Sequence, residues 1–366
     1  MSANIKIPFY IEFAFISIGA IAFILTLYIG QQIILPLIYG TILAILLNPF
    51  VNFLIKKKIN KIIAISTAVA ISIFVLLSLI YFISVQASLF AESYPALKQK
   101  LNLTSTHFIH WLSTNFNIKT TKINSWVKEI QIDTFTNIKG AIMPTLYAIN
   151  SLIVIVILIP VYLFMILYYK NLLLEFIRKL FKSVHHVAVF EILFNSKKII
   201  QSYLTGLLVE AAIVATLNSV GLLILGIDYA IILGISGALL NVIPYIGGVI
   251  AITLPMIIAY ISKDSSTYAL LVLLVYLLIQ FIDNNIIVPR IVASRVKINA
   301  LISVIAVIIG GAMWGIPGMF LSIPLTAILK VIFDHVEKLK PWGFLLGNIV
   351  PTSKLNFAFI KKKMPK

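Results

Sequence analysis

The chain has no cysteine. That absence excludes disulfides, thiolate metal sites and thiol nucleophiles together, and it leaves the redox compartment unmarked. Acidic residues are scarce as well, 12 Asp and Glu against 29 Lys and Arg in 366 positions. His107 and His110 stand three apart, but no third ligand of suitable type is near in sequence, so no metal centre is expected. His185 and His186 are accompanied by no nucleophile, phosphate loop or acid partner. Neither an enzyme nor a cofactor is expected.

Apolar sequence is abundant. Hydrophobic residues make up 61% of the chain, charged residues 11%, and the mean hydropathy is +1.07. No soluble core could hide this much apolar surface. A bilayer span needs about 20 largely apolar residues, and six runs reach that length, at 9–30, 33–54, 62–84, 146–168, 204–226 and 268–288. The first exceeds a typical signal-peptide apolar region and a second span follows almost at once, so it reads as an uncleaved helix. The net charge of +17 gathers at the ends of runs, as in Lys56-Lys57-Lys58 and Lys361-Lys362-Lys363. That pattern indicates positive-inside topology with anionic lipid contact, and not nucleic-acid binding.

Two further apolar stretches, 229–262 and 298–332, are broken halfway by Asn241-Val-Ile-Pro-Tyr-Ile-Gly-Gly248 and Gly310-Gly-Ala-Met-Trp-Gly-Ile-Pro-Gly318. Proline removes a backbone donor and clashes with the preceding turn, and glycine tolerates conformations that other residues avoid. In a bilayer such backbone persists only inside protein or beside a water-filled cavity, and a matched pair of breaks points to a transport site. If each stretch crossed once, Arg290, Arg295 and Lys297 would face outside. If each enters and leaves on one side, all but seven of the 29 basic residues face the cytoplasm. The arms, about 14 to 16 residues each, suit the second arrangement. Both breaks are followed by a hydroxyl residue two before proline, Thr253-Leu-Pro255 and Ser322-Ile-Pro324. The predicted fold is therefore an all-α integral membrane protein with six full transmembrane helices and two oppositely oriented re-entrant helical hairpins. These eight hydrophobic segments include an inverted repeat in the C-terminal half.

Five regions result: transmembrane helices 1–3 in residues 1–84; an extracytoplasmic segment of short amphipathic helices at 85–145; transmembrane helix 4 and a cytoplasmic amphipathic helix at 146–203; a core at 204–335; and a basic cytoplasmic tail at 336–366. Both termini are placed in the cytoplasm. Ionisable residues at membrane depth are costly and are candidates for function by default. Asp283 leads them, grouped with Gln280, Asn284 and Asn285, whose oxygens could hold a cation beside a carboxylate able to carry a proton; Arg290 could neutralise it when empty. Glu210 in the fifth span is a second candidate, with an interhelical hydrogen bond as its structural alternative. At the breaks, Asn241, Pro244, Tyr245, Gly247, Gly248, Gly315, Pro317 and Gly318 could present free backbone amides and carbonyls to a solute. Trp314 could flank the same site.

The segment Gly206 to Gly226, the loop Gly226-Ile-Asp-Tyr-Ala230, the first break, Asp283-Asn-Asn-Ile-Ile-Val-Pro-Arg290 and the second break through Ser322-Ile-Pro-Leu325 together resemble the autoinducer-2 exporter family of bacterial membrane proteins. The resemblance is dense over 200–335 and loose before it. It implies a multi-spanning permease of the bacterial inner membrane, a homo-oligomer, exporting a small polar solute of the autoinducer-2 kind by alternating access. It leaves open a sodium or other cation/proton antiporter, with sodium or protons as partners, and a non-transporting membrane scaffold or stress-response protein. The chain departs from the pattern at Gly248, where many members have proline, and at Leu207, where glutamine is frequent.

Overall fold

The computed structural model describes residues 8–116, 157–182, 185–243, 247–263, 265, 267–291, 296 and 298–348. Within them the chain is helical: α1 (Phe9–Ile29), α2 (Gln31–Lys56), α3 (Lys61–Phe116), α4 (Ile157–Tyr168), α5 (Lys170–Leu180), α6 (His186–Ile224), α7 (Ala230–Asn241), α8 (Gly247–Ser262) and α9 (Thr267–Ile282). A π-helical turn at Asp283–Ile287 leads into α10 (Val288–Ile291), α11 (Ala300–His335), a 3-10 turn and α12 (Lys340–Leu346). Five helices are long and apolar enough to cross a membrane: α2, the first 22 residues of α3, α6, α9 with α10, and α11; α4 and α5, bent by 70°, would make a sixth. Large apolar side chains such as Phe15, Phe74 and Phe281 are 65–71% exposed. This suits hydrocarbon as the surrounding solvent.

The 39-residue α6 is the hub. Its first half shares a core with α2 and α11 through Leu35, Ile42, Ile200, Tyr203, Leu204 and Leu321. Its second half shares another with α7, α8 and α9 through Leu222, Leu233, Ala259, Val272 and Tyr276. A third core joins α2, α3 and α4 around Ile65 and Leu163. Small residues permit these approaches. A Cβ at Gly234 of α7 would strike Ser219 of α6, and one at Gly40 of α2 would lie 2.8 Å from the Tyr162 Cβ on α4.

Two expected segments are longer than predicted. The amphipathic stretch at 169–203 splits after α5, and its second part runs without a break into the fifth span to form α6. The segment at 85–145 opens as a continuation of α3 to Phe116, because only Pro95 interrupts a run free of glycine; residues 117–145 lie outside the described ones. This extension reaches the C-terminal end of α8, where Lys100 Nζ donates to the Lys263 carbonyl at 2.7 Å and lies 5.2 Å from the Tyr260 ring centroid.

Each broken stretch folds back on itself. α7 and α8 pack side by side, with the Gly247 backbone against Leu240 and Asn241. In α11, Gly315 adopts φ 63°, ψ −145°, and the Gly310 carbonyl meets Gly318 across the break. In a straight helix those two residues would be about 12 Å apart. The start of α11 also meets the segment beyond its end: Asn299 Nδ2 donates to the Leu345 carbonyl at 2.6 Å and the Gly347 carbonyl at 3.0 Å. A straight helix of 36 residues would hold those ends about 54 Å apart. The first part of the expected tail is thus a docked helix, α12, with Gly343 against Asp334.

Candidate functional site

Asp283 opens the π-helical turn and is 1% exposed. A π turn inserts an extra residue and shifts the side chains after it, a feature frequent at functional sites. Here it leaves Asp283 facing α6 and α7, while Asn284 and Asn285 are exposed. The Asn285 amide donates to the Phe281 carbonyl at 2.8 Å, and the Gln280 amide approaches Asn284 Oδ1 at 3.4 Å. Of the predicted polar cluster only Asp283 is buried, with half-buried Gln280 beside it.

The partner of Asp283 comes from the first break. Asn241 Nδ2, at the last turn of α7, donates to Asp283 Oδ2 at 2.8 Å. Gly248, just past the break, faces Gln280: a Cβ there would lie 2.7 Å from Gln280 Oε1 and 3.4 Å from Asn241 Oδ1. Glycine at this position lets the two amide side chains close on the break. Gly247 is buried against Leu240; Pro244 and Tyr245 lie outside the described residues.

Asp283, Asn241 and Gln280 line a cavity of about 10 Å³ with Val214, Asn218, Gly237, Ala251, Tyr276 and Ile279. That is roughly the room one water molecule requires. Asp283 Oδ1, Asn218 Oδ1 and Tyr276 Oη are all buried without a hydrogen-bond partner among the described residues. Asn218 is 2% exposed and Tyr276 6%. The sequence reading missed both. Their signal was present as polar groups inside apolar spans: Glu210 and Asn218 stand eight residues apart on one face of α6, and Tyr276, Gln280 and Asp283 follow at spacings of four and three on α9 and its π turn. Glu210 is 7% exposed and lies within electrostatic range of Asp283.

The second break sits elsewhere. Trp314 Nε1 donates to the Leu27 carbonyl of α1 at 3.1 Å, and the Tyr39 hydroxyl of α2 donates to the Pro317 carbonyl at 3.1 Å. Gly315, Pro317 and Gly318 are therefore tied to α1 and α2, and Trp314 does not flank the Asp283 cavity. Arg290 is exposed beyond the π turn. No cluster of three metal-binding side chains exists among the described residues.

A multi-helix apolar chain with two folded-back segments and a buried carboxylate at one of them has the build of a membrane transporter. The profile of the AI-2E family transporters matches residues 18–338, and the chain belongs to that family. Among its relatives, "AI-2 transport protein TqsA" of Escherichia coli (strain K12) is 25% identical over 326 residues, 87% of this chain and 91% of that protein. "Putative transport protein YueF" of Bacillus subtilis (strain 168) is 24% identical over 317 residues, 83% and 84% of the two chains. The resemblance read from the sequence is thereby established, and with it a bacterial membrane protein of a transporter family.

Proposed function

We propose that this protein moves a small polar solute across the bacterial cytoplasmic membrane by alternating access. The observation that carries the reading is the Asn241–Asp283 hydrogen bond, which ties the break between α7 and α8 to a carboxylate buried at the π turn after α9. In the proposed topology both termini are cytoplasmic. The stretches 229–262 and 298–332 are re-entrant hairpins of opposite orientation, an inverted repeat around which residues 200–335 move against the first four helices. The packing of α7 against α8 and the non-helical backbone at Gly315 support the hairpins. An autoinducer-2-like cargo is favoured by the name of the relative TqsA.

The test is flux of autoinducer-2 in vesicles reconstituted with the purified protein. The wild type should carry solute above empty vesicles, and Asn241→Leu should lose most of that flux while retaining its helical circular dichroism. Flux no greater than that of empty vesicles for autoinducer-2 and a panel of small polar solutes would sink the reading.

A further inference from the structure

The elbow where α4 meets α5 at 70° borders, together with α2 and the start of α6, a cavity of about 970 Å³. Ordinary ligand pockets run from about 300 to 1,000 Å³. Its wall is mostly apolar, with Ile45 of α2, Leu167 of α4, Leu174 of α5 and Phe190, Leu193 and Phe194 of α6. The Phe190 and Phe194 rings stack with centroids 6.3 Å apart, yet these side chains are 69% and 55% exposed. The cavity is therefore open, and α5 beside it carries further exposed apolar side chains at Leu172 and Phe176. An open apolar wall of this extent marks an interaction site or a membrane-facing one.

Charge defines the other half of the occupant. Lys170, Arg178 and Lys197 line the cavity against one carboxylate, Glu175, which Arg178 already holds at 3.0 Å. Lys170 and Lys197 enter no ion pair among the described residues. Lys170 Nζ donates to Asn48 Oδ1, a neutral acceptor that leaves the charge uncompensated, and Lys197 and Lys61 stand within electrostatic range of it. An anion offsets this crowding of like charges. A free anion such as inorganic phosphate would leave the apolar wall bare, and a zwitterionic lipid would bring one more cation to a site that has a surplus. We infer that the cavity seats one anionic phospholipid of the membrane, its phosphate at Lys170 and Lys197 and its acyl chains along Leu174, Phe190, Leu193 and Phe194.

Such a site differs from the general attraction between basic loop ends and anionic headgroups, in which Lys56, Lys57 and Lys58 at the end of α2 would share equally. It takes one molecule, at one place, and selects it by headgroup and chain together. The seated lipid joins the α4–α5 elbow to α2 and to the start of α6. Nothing in the site rests on the transport reading.

The test titrates the purified full-length protein, stripped of lipid in detergent, with phosphatidylglycerol and reads the bound mass by native mass spectrometry. One phosphatidylglycerol per chain should bind saturably, in preference to phosphatidylcholine with the same acyl chains. The double variant Lys170→Gln, Lys197→Gln keeps an amide donor for Asn48 and should retain its helical circular dichroism, but should bind the lipid about thirtyfold more weakly. Lys57→Gln with Lys58→Gln removes the same charge outside the cavity and should bind as the wild type does. Equal affinity for the two lipids would overturn the inference, and so would equal weakening in the two double variants, which would assign the binding to diffuse charge. Displacement of the lipid by inorganic phosphate would overturn it in favour of a free anion. A dimer that persists without lipid and dissociates in Leu174→Arg would overturn it in favour of a second copy of this chain.

Discussion

Single side chains show how this protein handles charge near the membrane. Lys170 sits just past α4, where its Nζ donates to Asn48 Oδ1 at 3.0 Å. Burial pushes its ammonium below the ordinary value of 10.5, and the like charges of Lys197 and Lys61 push it the same way. A depressed lysine favours the unfolded chain wherever the unfolded group is protonated. The penalty is fully present below the folded value, shrinks as pH rises through it, and is gone above 10.5, where both states are neutral. Stability should therefore climb over that interval. In Lys170→Met the climb should be smaller, because the titrating group is gone. Thermal unfolding in detergent from about pH 8 upward, at fixed salt, compares the two slopes; parallel slopes would show that Lys170 carries no such penalty. Asp283 illustrates a different solution: it has no ion pair among the described residues, and a hydrogen bond from Asn241 and a water-sized cavity stand beside it.

At the level of elements, glycine and proline made the two breaks legible from sequence, since few residues can reverse an apolar helix in so short a space. Gly315 carries most of the second reversal: its φ of 63° and ψ of −145° lie where a side chain is strained, and no neighbour would touch an added Cβ. Gly315→Ala should therefore cost about 1–3 kcal/mol from backbone strain alone. Gly19→Ala, at a helical position in α1 with equally open surroundings, should be neutral or slightly stabilising because alanine is the better helix former. Denaturant or thermal unfolding of the two variants separates these outcomes, and equal stabilities would remove the strain argument. Other features were not legible. The continuity of α6 through residue 203 and of α3 to Phe116 depends on helix propensity carried across a change from polar to apolar composition, where a hydropathy reading places a boundary. The separation of the second break from Asp283 depends on Trp314 and Tyr39 finding partners across the chain, 287 and 278 residues away in sequence. Asn218 stood in the sequence as a polar group in an apolar helix, but the cavity it lines is formed with residues of α7 and α9 that the sequence alone does not bring together.

For the whole molecule, the proposed hairpin at 298–332 predicts which side of the membrane the chain occupies after α11. Asn299 before α11 and Leu345 after it are hydrogen-bonded, which supports the proposed placement of the loop before α11 and the segment after it on one side. In the proposed topology that side is the cytoplasm, the side that positive-inside bias favours, since Arg290, Arg295, Lys297, Lys338 and Lys340 all fall in these two regions. In the same topology Ser265, exposed between α8 and α9, is expected outside. The absence of native cysteine makes this directly measurable. Single substitutions Ser294→Cys, Lys338→Cys and Ser265→Cys can be labelled in intact cells and in inside-out vesicles with a membrane-impermeant maleimide. Ser294→Cys and Lys338→Cys should react only in inside-out vesicles, and Ser265→Cys only in intact cells. If position 294 reacts from outside while 338 reacts from inside, α11 crosses the membrane once. The opposed-hairpin topology would then fail, and with it the inverted repeat on which the proposed alternating access depends.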